Sequence, residues 1–341
     1  MPDILIPLHA IKGRGIAHRQ PHRFERDLRA AFDDGWGTLD DAAVAGEETA
    51  APATQVTFED ARSAITRNDS PDIGFTLGLN PYRGCEHGCV YCYARPTHSY
   101  LNLSPGLDFE TRIIAKRNIA AVLRDELLRQ AYAPDLLAIG TVTDAYQPVE
   151  RELRLTREVL EVLHTARHPL AMVTKGSGVE RDIDLLAPMG QQRLAAVYVT
   201  ITTLDAQLAR ILEPRAAAPH RRLRTLRTLA EAGVPTGVSV SPQIPFINDD
   251  MERVLEAAYE AGARRAFYQV LRLPWELSEM FRQWLAQHYP DRAARVMARM
   301  QDLRGGKDYD ADFATRMKGQ GLWADLLRQR FVKTCDRLGF N

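Results

Sequence analysis

Cysteine is scarce in this chain. Four occur among 341 residues, three of them close together at Cys85, Cys89 and Cys92 and the fourth, Cys335, near the other end. So few cannot staple a small disulfide fold, and a clustered trio fits metal binding in a reducing compartment better than bridges. Long apolar runs are also missing: Leu136 to Ile139 is cut by Gly140, far short of the roughly 18 to 20 residues a membrane span needs. No membrane partner is expected. The short apolar piece Ile4 to Leu8 is interrupted by Pro7 and lacks the charged start and cleavage site of a leader, so the expected location is cytoplasmic. Net charge is absent too, 44 basic residues against 44 acidic ones, so no bulk field draws the protein to a polyanion and such a partner would need a local patch. What is present is ordinary: 45% hydrophobic and 26% charged residues, enough to bury a sizeable core.

Residues 1–70 read as an N-terminal extension. They mix a basic stretch (Lys12, Arg14, His18, Arg19, His22, Arg23, Arg26) with an acidic, alanine-rich one, and Ala42 to Thr54 reads as a solvated linker. From Gly74 short β-branched apolar runs alternate with helical stretches, the pattern of parallel strands joined by crossover helices. Strands are expected at Phe75–Leu79, Leu136–Thr143, Leu170–Thr174, Leu194–Thr203, Pro235–Ser241 and Arg265–Leu273. Helices are expected near Arg112–Ala131, Pro148–Ala166, Val179–Leu186, Asp205–Ile211 with Arg221–Ala232, Met251–Ala261 and Trp275–His288. A closed barrel needs eight such units, so six imply an α/β fold with an open or partial (β/α)6 TIM-like barrel over 71–290; a doubly wound sheet is the competing topology. Residues 291–341 read as a helical tail, with Leu322, Leu326, Leu327 and Phe331 at helical spacing.

The segment Asn80-Pro81-Tyr82-Arg83-Gly84-Cys85-Glu86-His87-Gly88-Cys89-Val90-Tyr91-Cys92-Tyr93 directly follows the first expected strand. Its thiols therefore sit at the C-terminal end of a barrel strand, where sites are built. Crowded thiolates favour zinc or an iron-sulfur cluster over hard cations. Zinc would take a fourth ligand, for which His87 and His98 are available. A cubane would leave one iron unligated unless Cys335 reaches it, and an open iron can chelate the amino and carboxylate groups of a small cofactor.

A C-x3-C-x2-C loop with an aromatic before the last cysteine, on the first strand of a six-unit β/α repeat, resembles the radical S-adenosylmethionine superfamily. The match narrows to the branch related to spore photoproduct lyase through the loop above, Asp144-Ala145-Tyr146-Gln147-Pro148-Val149-Glu150, Thr174-Lys175 and Glu213-Pro214. The resemblance implies that Cys85, Cys89 and Cys92 bind a 4Fe-4S cluster as metal ligands, that S-adenosyl-L-methionine chelates its open iron, and that Tyr91 contacts the adenine. It further implies a 5'-deoxyadenosyl radical that takes hydrogen from a substrate, nucleic acid or another large molecule, and an external one-electron reductant of flavodoxin or ferredoxin type. One departure stands out. Spore photoproduct lyase carries an additional cysteine after the second strand as hydrogen donor, and Gly140-Thr141-Val142-Thr143-Asp144 has none.

Polar residues closing barrel strands are site candidates on geometry alone. Thr143 and Asp144 would close the second strand, the aspartate facing the methionyl ammonium or ribose, or else capping the next turn. Lys175 ends the third strand and suits the methionyl carboxylate; Thr202 and Thr203 end the fourth; Ser239 and Ser241 share one face of the fifth. Tyr93 is the candidate catalytic residue, as a hydrogen-atom relay, while Arg95, His98 and Tyr100 read as surface or packing residues. The run His220 to Arg227 reads as a solvated helix face, with phosphate contact as the alternative. Cys335 reads as a partly buried structural thiol. Two other functions compete: a nucleic-acid-binding module with a structural zinc site, and an electron carrier with Cys335 as fourth ligand.

Overall fold

The computed structural model describes residues 11, 13–16, 19–25 and 52–341. Lys12, His18, Arg26, the acidic stretch and most of the expected linker lie outside them.

Among the described residues, ten strands form two sheets. The large one contains β2 (Thr66–Arg67), β3 (Leu77–Leu79), β6 (Leu137–Ile139), β7 (Leu170–Thr174), β8 (Ala195–Thr200), β9 (Thr236–Gln243) and β10 (Arg265–Val270). Its spatial order is β10-β9-β8-β7-β6-β3-β2, with every pair from β3 to β10 parallel and only β2 antiparallel. Six parallel strands thus follow one another in chain order and β10 does not return to β3, which makes the sheet a partial (β/α)6 barrel. The strands read as near-continuous apolar runs because helices cover them outside and side chains fill them inside. Leu77, Leu79, Leu137, Ile139, Met172, Val197, Val199, Val238 and Val240 are all buried.

An open barrel leaves a free edge, which exposed backbone would make a pairing hazard. The tail covers it on β10. Val270 N donates to Met317 O (2.9 Å), and at the other end Asn341 accepts from Ala266 N (3.0 Å) and donates to Arg264 O (3.1 Å). The helix Gly321–Leu338 packs on Met251–Glu260, with Leu327 buried and Phe331 against Tyr268 of β10, while Leu322 and Leu326 face solvent, so the expected apolar stripe is only half used.

Two expected elements differ. The expected helix Arg112–Ala131 begins as a strand, β5 (Arg112–Lys116), which joins β1 (Gln55–Glu59) and β4 (Tyr82–Arg83) in a small second sheet; the helix runs only over Ile119–Leu127. The β-branched pair Ile113-Ile114 is what a strand prefers. The second barrel strand stops at Ile139 rather than Thr143, because Gly140 takes a positive φ of 83° and turns the chain out of the sheet. Residues 55–67, assigned from sequence to the extension, pair with β5 and β3.

Candidate active site

The cysteine loop leaves β4 at Arg83 and turns at Gly84 and Gly88, whose φ values of 79° and 66° side chains rarely adopt. Several of its restraints come from the segment after β6. Gln147 accepts from Glu86 N (2.9 Å) and donates to Gly84 O (3.2 Å), Glu86 accepts from Val149 N (2.6 Å), and the Tyr82 hydroxyl donates to Glu150. The stretch Asp144 to Glu150 is therefore one of the loop's supports.

Arg95, expected as a surface or packing residue, is fully buried. Its guanidinium donates to Cys89 O (2.8 Å), Gly88 O (3.0 Å) and Gly106 O (2.9 Å) and pairs with the equally buried Glu110 at 2.5 Å. Five fixed donors let one arginine satisfy carbonyls that a turning loop leaves unpaired. Glu110 also accepts from Gly15 N (2.9 Å) and Ile16 N (3.0 Å), drawing an N-terminal segment beneath the loop.

His98 is buried as well, in a packing role. It lies edge-on to Phe109 with its Nε2 3.1 Å from Arg112 O, and burial pushes its pKa down to about 4. His87 stands with Nδ1 3.2 Å from Asp144 Oδ2. Among the described residues, no three His, Cys, Asp or Glu side chains are grouped to hold a single metal ion.

The three thiols line one cavity of about 470 Å³, together with Tyr91, Tyr93, Thr143, Asp144, Lys175 and Ser239. No disulfide joins any of the four cysteines. Burial pushes the Cys85 thiol well up, and the Asp144 carboxylate and the other two cysteines add to it; burial likewise raises Cys89 to about 12. Bare thiolates are costly in such a place, whereas a bound metal centre would hold them deprotonated.

Asp144 lies on the loop beyond β6, and its oxygens are already engaged. They accept from Tyr146 N (2.8 Å), Thr174 Oγ1 (2.7 Å) and Lys175 N (2.7 Å), so the carboxylate ties the end of β7 to the loop and, although burial opposes ionisation, His87 and these bonds hold its pKa well below the usual range. Thr143 is buried with its Oγ1 unpartnered, as is the Ser241 hydroxyl, and both residues line the cavity. Orphaned polar atoms on a cavity wall suit a polar ligand.

Tyr91 is anchored from behind. Its hydroxyl donates to Glu213, which also accepts from Thr202 Oγ1 (2.6 Å) and pairs with Arg222. Burial alone would raise the Glu213 pKa, yet Arg222 and Lys175 hold it down at about 2. Thr202 thus stands behind Tyr91 and not on the cavity wall, and Lys175 Nζ sits 5.7 Å from the Tyr91 ring centroid.

Arg222 corrects the reading of the arginines in His220 to Arg227 as a solvated face. It is buried on the helix Pro219–Glu231, one turn before Leu226 and two before Leu229, on the apolar stripe itself. That register was a legible sign of a buried charge. Arg224 and Arg227 are exposed. Cys335 is buried on the far helix Gly321–Leu338 and does not line the cavity. The mouth residues Arg272, Trp275, Tyr309 and Arg316 were not foreseen, and no motif marked them.

A partial (β/α)6 barrel with three unbridged thiols looped over its C-terminal mouth is the architecture of enzymes that work at a cysteine-held metal centre. The family model "Radical SAM superfamily" matches residues 79–258, more than half of the chain, and the protein belongs to that superfamily. An uncharacterized protein of Mycobacterium tuberculosis is 35% identical over 246 residues, covering 70% of this chain and 72% of the relative. One of Methanocaldococcus jannaschii is 29% identical over 213 residues, covering 62% and 76%. Among solved structures, a spore photoproduct lyase mutant with bound AdoMet and dinucleoside spore photoproduct superposes with a TM-score of 0.54 at 15% identity, covering 84% of this chain and 80% of that one. The fold is thus that of a radical S-adenosylmethionine enzyme. No helix among the described residues is long and apolar enough to cross a membrane.

Proposed function

We propose that Cys85, Cys89 and Cys92 hold a 4Fe-4S cluster, that S-adenosyl-L-methionine binds beside it, and that the protein abstracts hydrogen from a nucleic-acid substrate in the cytoplasm. The observation that carries this is the three buried, unbridged thiols facing one cavity whose walls present Lys175 and unpartnered hydroxyls. When bound, that pair supplies a 5'-deoxyadenosyl radical and methionine, at the cost of one electron from an external flavodoxin- or ferredoxin-type reductant. Lys175 binds the methionyl carboxylate, its main chain fixed by Asp144. Tyr91, fixed by Glu213 and Thr202, presents its ring to the adenine, while Thr143 and Ser239 offer hydroxyls to ribose or ammonium. Tyr93, 40% exposed with its hydroxyl on Thr141 O, stands where a hydrogen atom could pass toward substrate. Because no cysteine lies in Gly140 to Asp144, repair of the spore thymine dimer by a cysteine donor is not expected.

Anaerobic reconstitution tests the reading. The reduced full chain should convert S-adenosyl-L-methionine to 5'-deoxyadenosine, and alanine at any one of the three loop cysteines should abolish both cluster and product. One zinc per chain without sulfide, or no cofactor cleavage by the fully loaded, reduced protein, would overturn it.

A further inference from the structure

Arg272 is the unexplained charge at the mouth. It follows β10, lines the cavity half-buried, and its guanidinium lies 4.3 Å from the centroid of the Tyr93 ring. Other guanidinium groups around it are committed. Arg316 pairs with Asp72 at 2.5 Å, and Arg304 donates to Thr315 O and Leu271 O, both at 2.8 Å. Among the described residues no carboxylate bonds Arg272, although its charge is felt by Asp72, Tyr93 and Arg304. A guanidinium partly withdrawn from water without a carboxylate partner is destabilising unless an anion completes it. Contact with the face of Tyr93 restrains the guanidinium, and its paired N–H groups suit a two-oxygen acceptor.

The surroundings select the anion. Trp275, three residues on, is 60% exposed, holds a φ of 49°, and borders the same cavity as Tyr93 and Tyr309. A bulky residue in that backbone region is held there against its preference, a kind of strain that gathers at ligand sites. Rings and an unpaired arginine around one mouth match a nucleotide, whose base stacks and whose phosphate pairs, better than an acidic peptide, which has nothing for the rings.

We infer that Arg272, seated on Tyr93 and beside Trp275, forms a subsite for a phosphodiester of an unpaired nucleic-acid strand whose base enters the cavity. This rests on the nucleic-acid reading above and extends it to a named residue. The aromatic partner puts the phosphate contact next to the proposed relay, which would align the adjoining nucleotide with it.

The test uses the anaerobically reconstituted full chain and fluorescence anisotropy of a short labelled oligothymidylate. The native protein should bind it in preference to the same sequence with a neutral methylphosphonate backbone. Arg272→Gln should weaken binding roughly tenfold and reduce the slope of log affinity against log salt by about one. Arg272→Lys should restore the slope, and the paired change Arg224→Gln and Arg227→Gln, on exposed helix positions, should leave binding intact. Equal binding of the two backbones, an unaffected Arg272→Gln, an equal loss in the control pair, or equal competition by hexaglutamate would each overturn the subsite. Production of 5'-deoxyadenosine by the native protein without oligonucleotide reads the underlying chemistry separately, so the failure of one is distinguishable from the failure of the other.

Discussion

At the scale of single residues, the site is shaped by buried polar groups with defined partners. Arg95 and Glu110 sit beneath the cysteine loop, Arg222 and Glu213 behind Tyr91, and His98 against the loop's outer flank. Buried ion pairs add little net stability, but removing one partner leaves a charge uncompensated, so their effect here is to fix position. His98 gives a pH signature. Burial lowers its folded pKa from 6.5 to about 4, so the unfolded chain takes up the proton first. Its contribution is complete above pH 6.5 and is lost as the pH falls from there toward 4. Chemical denaturation of native and His98→Gln proteins should show the native losing roughly 2 kcal/mol more over that window. Parallel pH profiles of the two would show that His98 is not held neutral.

At the scale of elements, the barrel was legible and the cysteine loop's supports were not. Parallel strands read well because burial on both faces makes them continuous apolar runs, as in Leu137 to Ile139. The limits failed where a single glycine or a β-branched pair overrode the pattern, at Gly140 and at Ile113-Ile114. The spacing of Cys85, Cys89 and Cys92 marked them as a group, and the fold does bring them to one cavity. Arg95, Glu110 and Gln147 were not so marked, since their partners are backbone carbonyls and amides brought near by folding. The same reasoning singles out Gly15. A Cβ there would fall inside contact distance of the Gly88 carbonyl oxygen, so Gly15→Ala should lift the segment Gly13 to Ile16 from under the loop. In reconstituted protein the cluster's visible absorbance should then decay several-fold faster in chelator, with far-UV circular dichroism unchanged. An unaltered decay would show that this segment does not shield the loop.

At the scale of the whole molecule, the tail serves two purposes. It covers the open edge of β10 through Met317 and Asn341, and it delivers Tyr309, Arg316 and Met317 to the cavity mouth, tied to the β2–β3 hairpin by Arg316 and Asp72. An incomplete barrel thus stays open at one side while keeping its edge protected. No feature of residues 303–320 announces this in the sequence, because it depends on where the last helix docks. The three thiols remain the centre of the molecule, with Cys335 remote from their cavity on another helix. In a cluster held as proposed, that arrangement would leave one metal corner without a cysteine ligand. The most direct measurement is electron paramagnetic resonance of the reconstituted, reduced chain titrated with S-adenosyl-L-methionine labelled with nitrogen-15 in the methionyl amine. The expected result is a cluster signal that shifts on addition and acquires coupling to the labelled nitrogen, unchanged by Cys335→Ser. A signal indifferent to the cofactor, or one destroyed by Cys335→Ser, would contradict it.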